Sequence, residues 1–209
     1  MKLNQLDILG VCETRWGDNG DFWSDDFRMI HSGDNQGKNG VGILLNKEWG
    51  LQVENTYHVN DRILFIKLKT STVNMIVIPT SNSEDDEIER MYDSLDELLG
   101  ISRDSDNVII MGDFNAVVGE GQDNQIIGKH GLGTRNNRGE RLVNFCKQSN
   151  FLITNTMFEV PKRRRHTWVA PGVTNRYQID YVLARSRFKK QLTNNDKSQF
   201  SRCRNRQRS

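Results

Sequence analysis

Three short stretches carry side chains suited to handling a phosphate or a metal ion. The first is Glu13 in Val11-Cys12-Glu13-Thr14-Arg15-Trp16, directly after a short apolar run. A carboxylate at the exit of a buried strand is fixed by the sheet yet open to solvent, which suits a hard cation such as Mg²⁺. The second is Gly112-Asp113-Phe114-Asn115, behind the apolar run Val108-Ile109-Ile110-Met111. Here Asp113 can accept a proton from water, and Asn115 can orient that water or a phosphate oxygen. The third is Gln178-Ile179-Asp180-Tyr181-Val182, where strand alternation sets Asp180 on the face away from Ile179, Tyr181 and Leu183. An acid inside a strand is costly unless it is paired or functional. Each stretch also has a plain structural reading: a loop glutamate, a Gly-Asp-x-Asn turn, and an edge-strand aspartate facing water.

These residues need elements to position them. Asp7 to Cys12 reads as a buried strand, and a polar, glycine-rich stretch follows as far as Gly40. Val41 to Leu45, Arg62 to Leu68 (apolar and polar in alternation) and the β-branched Val73 to Ile78 read as strands, the last two joined through Lys69–Thr72 as a hairpin. Pro79 closes that run. Ser83 then caps a helix that Glu84, Asp85 and Asp86 favour at its positive end. Ile88, Met91, Leu95, Leu98 and Leu99 recur at helical spacing until Gly100 stops the helix. Asn107 to Met111 is a strand broken at Gly112. A second amphipathic helix runs from Gly139 to Ser149, with Leu142, Phe145 and Cys146 on one face. Phe151–Thr154, Thr167–Val169 and Ile179–Ala184 complete the strands. Many strands and two clear helices, without regular alternation, indicate a layered α/β domain with mixed sheets.

At 209 residues the chain has room for one domain. It divides into a domain over 1–184 and a basic, disordered tail over 185–209. The formal net charge is +2, but the tail carries nine Lys/Arg against one acid, a net of +8 that leaves the body at −6. An acidic body with a basic tail points to a nucleic-acid partner, although short basic runs are also ordinary solvated tails. No apolar run approaches the length that crosses a bilayer, and the opening residues carry no signal peptide. Cys12, Cys146 and Cys203 are widely spaced and odd in number. They read as reduced thiols in an intracellular, nuclear or cytoplasmic setting, and not as a disulfide frame or a zinc site.

Glu-Thr-x-Trp, Gly-Asp-Phe-Asn and Gln-Ile-Asp-Tyr, in this order and separation, resemble the endonuclease/exonuclease/phosphatase superfamily. The segment Asn136-x-Arg138-Gly139-Glu140-Arg141-Leu142 with Phe145-Cys146, then Ile153-Thr154-Asn155-Thr156 and His166-Thr167-Trp168, is similar to endonuclease domains of non-LTR retrotransposons. The resemblance runs from about Leu6 to Lys190. It implies two packed β-sheets flanked by helices, a four-layer sandwich with the active site where loops meet at one edge. It implies Glu13 as metal ligand, Asp113 as the residue activating the attacking water, Asn115 as its positioning partner, and Asp180 as the acid that orients a catalytic histidine. The cofactor implied is Mg²⁺, with Mn²⁺ as the alternative, and the partner is DNA. No protein partner is inferable. Arg135, Asn136, Arg138, Arg141, Arg164 and Trp168 are the candidate nucleic-acid contacts, with core packing an equal reading for Trp168.

Three parts of the family pattern have no counterpart. The chain begins beyond the first strand and its Asn; Val77 stands where the family carries a tyrosine; no closing Ser-Asp-His occurs. His31, His58, His130 and His166 all lie in other contexts. The expectation is therefore a fold truncated at both ends. Its retrotransposon-derived, Mg²⁺-dependent phosphodiester hydrolysis is lost or severely reduced. The alternatives are a non-catalytic nucleic-acid binder or a fragment without a molecular function.

Overall fold

The structure, a computed structural model, describes residues 1, 6–69, 73–78, 85–103, 105–123, 125–170, 172 and 175–191. The Ser83 cap, Pro79, most of the Lys69–Thr72 turn and the basic segment beyond 191 lie outside them. Two sheets pack face to face. The first contains β1 (Ile8–Cys12), β2 (Gly20–Ser24), β3 (Phe27–Ser32) and β4 (Val41–Asn46), in the order β1-β4-β3-β2 and antiparallel throughout. The second contains β5 (Val53–Asn60), β6 (Ile63–Leu68), β7 (Val73–Ile78), β8 (Asn107–Asp113), β9 (Phe151–Ile153) and β12 (Asp180–Arg185). Its order is β5-β6-β7-β8-β12-β9, and it is mixed because β7 and β8 run parallel. A separate two-stranded ribbon pairs β10 (Trp168–Val169) with β11 (Arg176–Tyr177).

Between the sheets, Ile30, Ile43 and Leu45 meet Leu64, Ile66, Met75 and Val77. The other face of the six-stranded sheet carries two helices, α2 (Asp85–Ile101) and α3 (Asn137–Gln148), whose Ile88, Leu95, Leu142 and Phe145 bury against Val108, Ile110 and Leu183. Each such aliphatic side chain contributes about 1.5–3 kcal/mol on burial. Tyr92 adds a buried ring 5.1 Å from Phe145. Asn136 caps α3, its side-chain oxygen accepting from Gly139 N at 2.8 Å and Val117 N at 3.0 Å. Among the described residues no helix is long and apolar enough to cross a membrane. Cys12 and Cys146 are free, buried thiols, and burial pushes the Cys146 thiol up.

Several expected boundaries move. The polar stretch before Gly40 contains the β2–β3 hairpin. A short helix, α1 (Lys47–Leu51), and β5 fill the region after β4. β6 does not alternate with water, because Ile63 and Phe65 face the helices while Leu64, Ile66 and Leu68 face the other sheet. Gly100 lies inside the last turn of α2, which ends at Ile101. β8 continues through Gly112 to Asp113. A four-residue helix, α4 (Lys162–Arg165), precedes the ribbon. Order does not stop at Ala184 either: β12 ends at Arg185, a 3-10 turn spans Ser186–Gln191, and Arg187 Nη2 donates to Asp106 O at 2.8 Å.

Candidate active site

The end of β8 and the start of β12 meet at one edge of the sandwich. Their antiparallel register makes Asp113 and Asp180 direct partners across the ladder. Both are buried, with 1% and 6% of their surface exposed. β12 is an interior strand between β8 and β9, so Asp180 is not an edge residue facing water. Like charges directly opposite on adjacent strands repel, and burying them costs more still.

The backbone around Asp113 is shaped for that position. Gly112 has φ +153°, and a Cβ at this residue would collide with Ile78 O on the parallel neighbour β7. Asp113 Oδ1 accepts from Asn115 N at 2.8 Å, and Phe114 N donates to Ile179 O at 3.0 Å. Asn115 sits in the left-handed region with φ 47°. Outside glycine this conformation is uncommon and recurs where function holds the backbone in strain. Glu13 shares it, with φ 53°.

Glu13 follows the end of β1, where Cys12 Sγ donates to Ile78 O at 3.3 Å. Ile78 is in register with Gly112, which is in register with Tyr181. Asp113 and Asp180 therefore emerge at one edge of the six-stranded sheet, and Glu13 follows the strand of the facing sheet that packs against it there. The Glu13 carboxylate is partly exposed and lies 3.4 Å from Arg15 Nη2. Val77 is fully buried between the sheets, so the position where the family resemblance implies a tyrosine serves packing here.

Three side chains from elsewhere hold the Asp180 segment, and Tyr181 ties it from within. Thr167 Oγ1 accepts from Ile179 N at 3.1 Å and Asp180 N at 3.2 Å. Asn155 Oδ1 accepts from Val182 N at 2.7 Å, and Thr154 Oγ1 donates to Val182 O at 2.8 Å. Tyr181 Oη donates to Gln178 O at 2.6 Å and accepts from Val118 N at 3.3 Å. Burial, with the nearby Asp180 and Asp113 charges, pushes the Tyr181 hydroxyl up, which keeps it a donor. The side-chain oxygen of Gln178 is buried beside this strand without a hydrogen-bond partner.

The candidate nucleic-acid residues divide. Arg135 contacts Asp123 at 3.1 Å and Glu140 at 3.0 Å and donates to Val118 O. Arg141 grips Glu89 at 2.7 Å and lies 4.0 Å over the Tyr92 ring. Asn136 caps α3. Arg138 is half-buried and Arg164 exposed, and Trp168 is half-buried against Tyr177 with ring centres 5.6 Å apart. His166 lies immediately before Thr167 with a buried Nδ1 that has no partner.

Residues 1–193 match the profile of the Endonuclease/Exonuclease/phosphatase family. The chain belongs to this family. It is 36% identical over 194 residues to craniofacial development protein 2 of Bos taurus, covering 90% of this chain and 33% of that protein. Against the Tragulus javanicus protein it is 36% identical over 189 residues, covering 88% and 33%. The chain thus spans about a third of the length of these relatives. Among solved structures, an AP endonuclease from Archaeoglobus fulgidus superposes with TM-score 0.62 at 18% identity, covering 90% of this chain and 80% of that one. The 3' phosphatase NExo from Neisseria, bound to product DNA hairpin, gives 0.62 at 14%, covering 88% and 78%. The endonuclease domain of TRAS1, a telomere-specific non-LTR retrotransposon, gives 0.52 at 12%, covering 79% and 69%. At these identities the likeness establishes the endonuclease/exonuclease/phosphatase fold.

Among the described residues no three Asp, Glu, His or Cys side chains converge as ligands for one ion. Mg²⁺ keeps several waters and needs only one or two protein carboxylates. The oxygen donors at this edge of the family fold (Glu13, Asp113, Asn115) match that requirement in kind.

Thr154, Asn155 and Thr167 belong to stretches that mark the family, yet nothing in their sequence revealed their work. They bond to backbone 12 to 28 residues away. Thr167→Val keeps the shape and removes the acceptor of two backbone N–H groups. It is expected to lower stability by about 1–3 kcal/mol and to slow any phosphodiester cleavage, as read by thermal unfolding beside plasmid nicking.

Proposed function

We propose that this chain is a Mg²⁺-dependent DNA endonuclease domain of the retrotransposon type, working at a much reduced rate. The observation that carries the reading is the buried Asp113–Asp180 pair at the sandwich edge, flanked by the left-handed Asn115 and Glu13. Asp113 accepts the proton of the attacking water, and Asn115 orients that water or a phosphate oxygen. Asp180, held by Thr167 and Asn155, fixes the electrostatics beside it. A divalent ion held through Glu13, Mg²⁺ or alternatively Mn²⁺, would supply charge stabilisation at the phosphate. The buried Val77 offers no hydrogen bond to that phosphate. Losing one such donor typically lowers the rate by about 10²–10³. The test is conversion of supercoiled plasmid to open circle in Mg²⁺ against an EDTA control. Slow, EDTA-sensitive nicking is expected, and nicking that persists in EDTA would exclude the metal-dependent reading.

DNA as the partner is supported by α4. Lys162 is held by Glu120 at 2.9 Å, and Arg165 by Val160 O and Gly131 O. These ties present Arg163 and Arg164 to solvent. Two exposed guanidinium groups on a pinned turn suit phosphates, which position the duplex without reading its sequence. Arg163→Ala with Arg164→Ala is expected to weaken duplex binding evenly across sequences. It should also reduce the salt slope, log K against log[salt], by about 2. An unchanged slope in equilibrium titrations would remove these residues from the interface.

A further inference from the structure

Beyond Glu13 the chain forms a firmly held turn that presents two half-exposed aromatic rings. Thr14 N donates to Gly40 O at 3.1 Å and Arg15 N to Asn39 O at 2.8 Å, which ties the segment after β1 to the one before β4. Asn19 Oδ1 accepts from Ser32 Oγ and Gly33 N, both at 3.1 Å. A Cβ at Gly33 would collide with Trp16 O, and one at Gly20 with the His31 ring. The two glycines therefore let the turn and the imidazole close on each other. His31 braces Trp16 edge-on, with ring centres 4.5 Å apart at 78°. Phe22 completes the cluster, 6.0 Å from Trp16 and 6.2 Å from His31.

His31 is buried, whereas Trp16 stays 41% and Phe22 44% exposed. Large aromatic rings normally gain most by full burial. Two rings held partly in water by a fixed turn form a surface prepared for a flat ligand. Its charge narrows the choice. Arg15, Asp18 and Asp21 neighbour the rings in sequence; Arg15 is matched by Glu13 at 3.4 Å and Asp21 by Arg28 at 2.7 Å. A local surface without excess positive charge is a poor seat for phosphates, but it accepts the π-face that every nucleobase offers. The cluster also continues from Glu13, with Trp16 three residues further along the chain.

We propose that Trp16 and Phe22, braced by His31, form a stacking platform for an unpaired nucleobase of the DNA engaged at the Asp113–Asp180 edge. This rests on the nucleic-acid reading above. The test is equilibrium affinity in EDTA, by fluorescence anisotropy, for two labelled duplexes that differ only in one bulged base. The wild type is expected to favour the bulged duplex by about 5- to 100-fold, the range of one base stacked on an aromatic ring. Trp16→Ala should lose that preference with the salt slope unchanged, and Trp16→Phe should keep part of it. Equal binding of both duplexes by the wild type, or an undiminished preference in Trp16→Ala, overturns the proposal. If Trp16→Ala melts early, Phe22→Ala replaces it, and a folded Phe22→Ala with full preference overturns the proposal equally. Failure to bind either duplex refutes the nucleic-acid reading along with the platform. A Trp16-dependent preference without any nicking in Mg²⁺ sustains the platform and refutes only catalysis.

Discussion

Asp113→Asn is expected to lower Mg²⁺-dependent plasmid nicking by about 10²–10⁴-fold, the usual contribution of a positioned general base. The substitution is nearly isosteric. Its side-chain oxygen can still accept from Asn115 N, which now meets Asp113 Oδ1 at 2.8 Å. What disappears is the carboxyl group opposite Asp180 that could accept a proton. Two consequences separate this from simple damage. A nearly isosteric change that keeps this acceptor should leave the melting temperature close to that of the wild type. Removing an anion near bound phosphates should leave DNA affinity unchanged or raise it. A variant that nicks slowly, melts no earlier and binds no worse identifies Asp113 as a chemical participant. Equal losses in rate, stability and affinity would make it structural.

Gly112→Ala should give the largest stability loss near the site. The residue combines φ +153° with a backbone carbonyl, Ile78 O, in the space a methyl group would need. Both parts of the clash are main chain, so no rotamer change relieves it. Strain and overpacking of this kind cost roughly 3 kcal/mol. In a chain of this size that is a fall in melting temperature of about 6–12 °C. Because Gly112 lies between Ile78 and Tyr181 in the sheet, the displacement passes to Asp113, and nicking should fall with stability. Calorimetry and nicking on one preparation check this, and a melting temperature within 2 °C or so of wild type would mean the β7–β8 approach is looser than described.

The parts of the fold legible in the sequence are those where one residue type repeats under one physical demand. Val41 to Leu45, Met75 to Ile78 and Val108 to Met111 are apolar because they lie between layers, and α3 shows its buried face as Leu142, Phe145 and Cys146. The β2–β3 hairpin was hidden because β2 is an exposed edge strand whose side chains mostly face water, leaving no alternation to find. The ribbon strand β11 is two residues long, too short to show a period, whereas its partner β10 falls within the expected Thr167–Val169 strand.

The candidate site was legible to the same degree. Glu13, Asp113, Asn115 and Asp180 were visible because each stands at the end of an apolar run or inside one. Their mutual placement was not, since the pairing of Asp113 with Asp180 joins residues far apart in sequence. Charge without its partner also misleads. Arg135 and Arg141 read as phosphate contacts, yet the structure commits them to Asp123, Glu140 and Glu89. The exposed Arg163 and Arg164 are therefore the stronger basis for a DNA interface.

On the proposed function, Asp113 and Asp180 act as one catalytic unit. Single-turnover nicking rates of the wild type, Asp113→Asn, Asp180→Asn and the double variant test it most directly. Residues that act as a unit are strongly non-additive, so the double variant should be no slower than the worse single one. A double variant slowed by the product of the two single effects would contradict the claim. So would a wild-type chain that shows no Asp113-dependent nicking under these conditions.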